Sequence, residues 1–424
     1  MIKYKILIVL SLIFFNSSLL EAKSIVIKNA TIFDGIEDSS YNGHILIEDG
    51  YIKKISKSSM IQGDKVIDVK GKIVTPGLIA PDTQIGIIEI GALAVTRDDQ
   101  SNIYEIGFSI HSAFNPNSTL IPWNRSNGIT SAISLPRNTS TPIGGLGSFF
   151  LLDSKININS KADMVFIGGL GASGTSSRAE TLSLMEDILS FGSSLTKKDI
   201  ATANSIDEII DNSSIASHLD LKPRDIKALS RLFNEDLPLI IKSNRASDIL
   251  NLINLKNKFD LNLIIMGAQE ASLVINEIAK NDIPLIINPT NNIPNSFDEL
   301  ASNIDLAKRL EDAGIMTMFN VSRSHNYHLI RQGAGIAVAN GLSYSSAIKS
   351  LTSNVATVFD IKNRGSIKVG NHADIVIWEA DPLEPSSMPE KVFINGIETD
   401  LTTRSTRLRE RYTKNLDKPN TYRN

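Results

Sequence analysis

Residues 72–86, KIVTPGLIAPDTQIG, constrain the fold more than any other stretch. Ile73 and Val74 are β-branched and apolar, Pro76-Gly77 is a turn dipeptide, and Leu78-Ile79-Ala80 restarts an apolar run. That run is too short for a helix and suits a buried strand. The stretch therefore predicts one strand that closes a small β unit and a second that opens a larger core. Upstream, residues 24–49 alternate apolar and polar positions (Ile25, Ile27, Ala30, Ile32), with turns at Asp34-Gly35 and Asp49-Gly50.

Downstream, short apolar runs recur with helical spacing between them. Counting 78–86 first, strands are predicted at 128–135, 149–152, 164–167, 237–241, 261–266, 284–287 and 315–319. Helices are predicted over 176–190, over 246–255 with Ser243 or Asn244 as N-cap, around Ala271, Val274 and Ile278, and over 297–313 closed by Gly314. This rhythm is that of an α/β chain whose strands close into a (β/α)8 barrel, which typically needs about 250 residues.

Three segments carry a family resemblance. Residues 72–79 are similar to the V-x-P-G-[LF]-I segment that leads into the first barrel strand of the amidohydrolase superfamily, in its imidazolonepropionase-like branch. Residues 365–376, GSIKVGNHADIV, resemble the superfamily's G-[ST]-[IL]-x-x-G-x-x-A-D-[IL]-V segment, followed by KVFINGI at 391–397. Residues 346–359 resemble its A-[LI]-x-x-[LA]-T-x-N-[PV]-A helix pair, at Ala347, Ile348, Leu351, Thr352, Asn354, Val355 and Ala356. The resemblance implies a TIM-like (β/α)8 barrel plus a small composite β-sandwich built from both chain ends. It implies the N-terminal portion of the sandwich at 23–76, the barrel at 77–364 and the C-terminal portion of the sandwich at 365–400; the residues themselves add an expected signal peptide (1–22) and a basic C-terminal tail (401–424) with Arg404, Arg407, Arg409 and Arg411.

The same resemblance implies hydrolysis of carbon–nitrogen bonds, in non-peptide or dipeptide-type amides, at a divalent-metal site on the C-terminal rim of the barrel. The family's two histidines after strand one are here Asp82 and Gln84. Lys242 stands at the strand-five position, Met266 at the strand-six position, and Ser322 aligns with the family's final aspartate. The residues at 164–169 offer no lysine. Pocket candidates are therefore Asp82, Gln84, Lys242, Met266, Ser322 and His325, and no catalytic residue is assigned. Lys242 is expected to point into the mouth and to pair with Asp82, its ammonium filling the space of a cation. No cofactor is expected. The alternative is zinc or another divalent ion at a relocated site built from His325, His328 and Asp82 or Glu89. Two functions stay open: an amidohydrolase with impaired or lost activity, and a non-catalytic periplasmic ligand-binding or regulatory partner protein.

Other readings are narrower. Asp98-Asp99 reads as a solvated loop, with a rim acid pair as its alternative. The glycines at 168–174 lack the GK[ST] ending of a phosphate loop, and Gly144, Gly145 and Gly147 read as a tight turn near the mouth. There is no cysteine, which excludes disulfides, thiolate metal sites and a cysteine nucleophile, and only six histidines. The net charge of −3 gives no nucleic-acid footprint. Lys3 and Lys5, the apolar run 6–15 and the small residue Ala22 predict an export signal, hence a periplasmic or secreted bacterial protein with no membrane span after cleavage. The expected partner is a small molecule or short peptide; assembly as a homo-oligomer is left open.

Overall fold

The computed structural model of the protein describes residues 24–58, 61–137, 141–171, 177–321 and 325–414. The expected export signal and Ser322 lie outside the described residues. No described helix is long and apolar enough to cross a membrane.

Two sheets organise the chain. In the first, β1 (Ser24–Ile32), β2 (Tyr41–Glu48) and β3 (Tyr51–Ser56) form an antiparallel meander, and β4 (Lys65–Asp68) lies parallel to β1. The alternation seen in sequence is real: Ile27, Ile32, Ile45, Ile47 and Ile52 are buried in one cluster. The Asp49-Gly50 turn has φ of +50° and +83°, as a two-residue hairpin requires. β5 (Ile73–Pro76) is the hinge of the sheet. It runs parallel to β1 on one side and antiparallel to β14 (Ile375–Trp378) on the other, with Val376 opposite Thr75. β15 (Pro389–Ile394) and β16 (Ile397–Glu398) complete the sheet, so it is built from both chain ends as expected.

The second sheet begins directly after Gly77. β6 (Leu78–Thr83), β7 (Ile129–Ser134), β8 (Ile143–Leu151), β9 (Ser160–Gly169), β10 (Leu239–Ser243), β11 (Leu263–Gly267), β12 (Leu285–Ile287) and β13 (Thr317–Phe319) are neighbours in chain order. β13 returns beside β6, so the sheet is a nearly closed barrel. Its interior is an apolar column that includes Ile79, Ile133, Val165, Ile167, Ile240, Ile264, Ile286 and Met318, with Val355 and Phe359 in the same cluster.

The barrel departs from a regular (β/α)8 at one strand. β8 is antiparallel to both β7 and β9, and only short connections, 135–142 and 152–159, join the three. Gly144, Gly145 and Gly147 lie within β8 rather than in a turn, and the pairing slips between Gly144 and Leu146, where Gly145 has φ +69°. This is bulge geometry, which glycine accommodates.

Two helix predictions are corrected. The predicted helix over 297–313 is helical only at Leu306–Asp312. Phe297 is 89% exposed and finds no apolar face to join, while Glu299 holds the preceding loop by accepting from the Asn295 amide. The helix Ala246–Phe259 starts without a side-chain cap from Ser243 or Asn244; the Glu270 carboxylate instead accepts from the Ala246 N–H. The basic tail begins as an exposed helix, Arg404–Thr413, with Thr403 and Thr406 forming its capping box.

Candidate functional site

Side chains alternate along a strand, so the residue two beyond each apolar interior position also faces the barrel axis, one layer nearer the rim. That rule places Lys242 above Ile240, Met266 above Ile264, Asn288 above Ile286 and Asn320 above Met318. All four line a cavity of about 660 Å³ at the C-terminal ends of the strands, together with Asp82, Gln84, Ser243, Asn244, Gln269 and Tyr327. Barrel enzymes place their chemistry at this face.

The hydrogen bonds fix most of the amides. Asn320 Nδ2 donates to Asp82 Oδ2 at 2.9 Å and approaches Met266 Sδ at 3.5 Å. Asn244 Nδ2 donates to Glu299 Oε1 at 2.7 Å. A carboxylate only accepts, so in both residues the amide nitrogen faces the acid and Oδ1 is left over. The Tyr327 hydroxyl accepts from the Gln84 backbone N–H at 2.9 Å and donates to Gln84 Oε1 at 2.8 Å, which leaves Gln84 Nε2 over. Burial, with the nearby charges of Asp82 and Asp99, raises the Tyr327 pKa, so its proton stays in place. Gly267, at φ +98°, makes room for Asn244: a Cβ there would lie 2.2 Å from Asn244 Oδ1.

Of the residues expected at the site, Asp82, Gln84, Lys242 and Met266 are gathered around one cavity. The expected Asp82–Lys242 contact is not formed. Asp82 is taken by Asn320, and Lys242 is exposed and makes no ion pair within 4 Å among the described residues. Ser322 lies outside the described residues. His325, at φ +79°, does not line the cavity; its carbonyl accepts from Asn124 Nδ2 at 3.5 Å. His328 packs edge-on against Trp123, with ring centroids 5.3 Å apart, and its backbone N–H donates to Asn124 Oδ1. Glu89 accepts from Thr119. Among the described residues no group of three or more His, Cys, Asp or Glu side chains is placed to hold a metal ion, so His325, His328 and Asp82 do not form the relocated site. Asp99 is not solvated: it is 1% exposed and pairs with Arg137 at 3.2 Å.

His328 makes one pH prediction. Burial, with the neighbouring Arg331 charge, pushes its pKa down to about 4. Below about 6.5 the unfolded chain takes up a proton that the folded imidazole refuses until about 4. Its contribution to stability is therefore complete above about 6.5 and is lost as pH falls from there through about 4. NMR titration is expected to show the His328 ring shifts flat between pH 8 and 5, whereas a midpoint near 6.5 would contradict it.

The divalent ion that this fold commonly carries can be tested against the donors present. Zinc and its relatives take imidazole, thiolate and carboxylate ligands. The corresponding strand ends here offer one carboxylate (Asp82), two carboxamides (Gln84, Asn320), a thioether (Met266) and an ammonium (Lys242). The ammonium donates only and carries the wrong charge beside a cation. The donor set does not fit such an ion.

Asn320, Asn288, Gln269 and Tyr327 were not singled out from the sequence, and Asn244 only as a helix cap, not as a site residue. For Asn288 and Asn320 a signal existed, the i+2 step past Ile286 and Met318; for Tyr327, on the segment after β13, none did.

The fold and a stretch of the sequence have known counterparts. The amidohydrolase family model matches residues 193–399. An amidohydrolase, tasK, of Hapsidospora irregularis is 22% identical over 392 residues, covering 84% of this chain and 39% of its own length. A 5-methylthioadenosine/S-adenosylhomocysteine deaminase of Pyrococcus furiosus is 38% identical over 69 residues, 16% of either chain. The chain thus spans well under half the length of these curated relatives. Among solved structures, an amidohydrolase of Thermotoga maritima superposes with a TM-score of 0.74 at 21% identity, covering 88% of this chain and 99% of that one. Over residues 193–399 the chain thus matches the amidohydrolase family model, and its barrel with a flanking composite sheet is the fold of the solved amidohydrolase.

Proposed function

We propose that the barrel mouth captures a small polar molecule or short peptide without metal-activated hydrolysis, and that an export signal in residues 1–22 delivers the protein to a periplasmic or extracellular space. One observation carries the capture reading: at the strand ends where the superfamily gathers metal ligands, this chain presents Asp82, Gln84, Lys242, Met266 and Asn320, with Asp82 already accepting from Asn320. A cavity of about 660 Å³ lined by carboxamides is within the usual size range of small-molecule sites. Without an activated water, an amide bound there has no nucleophile supplied for it.

The second reading is turnover of an amide at the same mouth. The family match over 193–399 favours it. One assay separates the two. The protein, with and without added zinc, is incubated with a panel of dipeptides and N-acyl amino acids, and both melting temperature and free amine are followed. Upward shifts in melting temperature without released amine are expected. Zinc-dependent amine release, abolished by Asp82→Asn, would overturn the proposal and establish the hydrolase.

A further inference from the structure

A second cavity, of about 350 Å³, lies beside β8 and β9 and shares no lining residue with the mouth. One wall is the helix Pro223–Asn234, which buries Ile226, Leu229 and Leu232 in the core. Its outer side brings Arg224, Lys227 and Arg231 to the cavity at i, i+3 and i+7, a row of cations about 10 Å long. Ala228, one turn beyond Arg224, is small and keeps the space between them open. The facing wall is the segment holding Gly107, Ser109 and Ser112, with Asp163 of β9. The two walls are tied together: the Gly107 N–H donates to Asp225 Oδ1 at 2.6 Å, and a Cβ at Gly107 would lie 2.6 Å from Arg224 Cγ. The cavity is therefore formed in advance of any ligand.

Its charge is unbalanced. Acids outnumber bases in the whole chain, 46 to 43, yet this lining holds three cations and one carboxylate, Asp163, which accepts from Ser109 Oγ. Glu235 offsets Arg231, accepting from its Nε at 3.1 Å. Asp225 is 1% exposed and is spent on the Gly107 and Lys222 amides at the helix start. Arg224 and Lys227 have no ion pair within 4 Å and no side-chain hydrogen bond among the described residues, so the excess charge sits on them. Arg224 Cζ lies 5.1 Å from the centre of the Tyr104 ring, a contact that positions the guanidinium without using its N–H donors.

We infer that this cavity is an anion site, separate from the mouth, which takes a small molecule carrying two or more linked phosphoryl groups. The Arg224 fork grips one phosphoryl group and Lys227, with Arg231 behind it, the next. One phosphoryl group is too short to meet the whole row of cations, and a linked pair reaches along it. The residues bind only; no bond is made or broken there.

The test is isothermal titration of the whole protein with pyrophosphate and with orthophosphate. Pyrophosphate is expected to bind saturably at one site, at least about tenfold more tightly than orthophosphate. Arg224→Gln is expected to weaken pyrophosphate about tenfold or more. Lys227→Gln repeats the test without touching Tyr104 and is expected to weaken it about fivefold or more. Both side chains are exposed, so neither variant is expected to move the melting temperature. Lys242→Met at the mouth and Arg407→Gln with Arg409→Gln in the C-terminal helix are expected to leave pyrophosphate binding unchanged. Absence of saturable binding, equal affinity for the two anions, or loss of binding in the mouth or C-terminal variants but not in Arg224→Gln and Lys227→Gln would overturn the inference.

Discussion

Arg331→Leu is expected to lower the stability of the protein by about 3–5 kcal/mol, read as the midpoint shift in urea unfolding at constant slope. Arg331 is 1% exposed and touches no carboxylate of the described residues within ion-pairing distance. Its guanidinium donates to the carbonyls of Pro382, Glu384 and Ser387 at 2.6–2.8 Å and to that of Asn127 at 3.4 Å. Its Cζ lies 4.8 Å from the centre of the Trp378 ring. Burial pushes its pKa down to about 10, still well above neutrality, so the charge persists. The residue ties the helix Ile330–Ala339, which follows the last barrel strand, to the loop between β14 and β15. Leucine would fill some of the volume but strand four carbonyls. Arg331→Lys is expected to recover little, because an ammonium cannot reproduce the planar fork. A loss below about 1 kcal/mol for Arg331→Leu would show that water replaces these bonds.

Gly128→Val is expected to abolish accumulation of the folded protein, or to cost more than about 4 kcal/mol where it folds at all. Two effects add at this position. Gly128 has φ +93°, a region closed to β-branched residues. A Cβ there would lie 2.5 Å from Cη2 and 2.9 Å from Cζ2 of Trp378. The indole cannot retreat: it is fully buried, and its Nε1 donates to Thr75 Oγ1 at 2.9 Å. Gly71→Ala separates the two effects. Gly71 has φ +85°, but a Cβ there would meet nothing within 4 Å, so only the backbone strain remains, about 1–2 kcal/mol. Equal losses at the two glycines would refute the clash.

Both predictions fall on the junction where Trp378 packs under the barrel, and the sequence did point there. The alternating strands at 24–49, the Pro76-Gly77 turn and the segment at 365–376 identified a composite sheet whose pairing through β5 is present as expected. Strands with strong apolar runs, such as 237–241 and 261–266, were legible because interior positions must be filled. The antiparallel β8 was not: Phe149, Phe150 and Leu151 give the same apolar signal in either direction, and strand polarity is set by the short connections on each side. The helix over 297–313 failed because apolar spacing there reflects exposed Phe297 and Leu300 rather than a buried face.

At the site, the first-strand and fifth-strand candidates reached the cavity because strand ends are predictable positions. What they bond to was not predictable. The partner of Asp82 is an asparagine 238 positions away, chosen by barrel closure between β6 and β13, and it displaced the pairing expected with Lys242. The two histidines near the last strand were the natural candidates for a relocated ion. His325 instead adopts a left-handed conformation, and His328 turns toward Trp123.

The donors at this mouth, one carboxylate among carboxamides, a thioether and an ammonium, do not suit a divalent catalytic ion. Elemental mass spectrometry of the protein, purified without chelator and again after zinc addition and desalting, tests it most directly. The account predicts well under one tightly held ion per chain in both preparations, unchanged in Asp82→Asn. Near-stoichiometric zinc that is lost in Asp82→Asn would contradict it and return the mouth to metal-dependent amide hydrolysis.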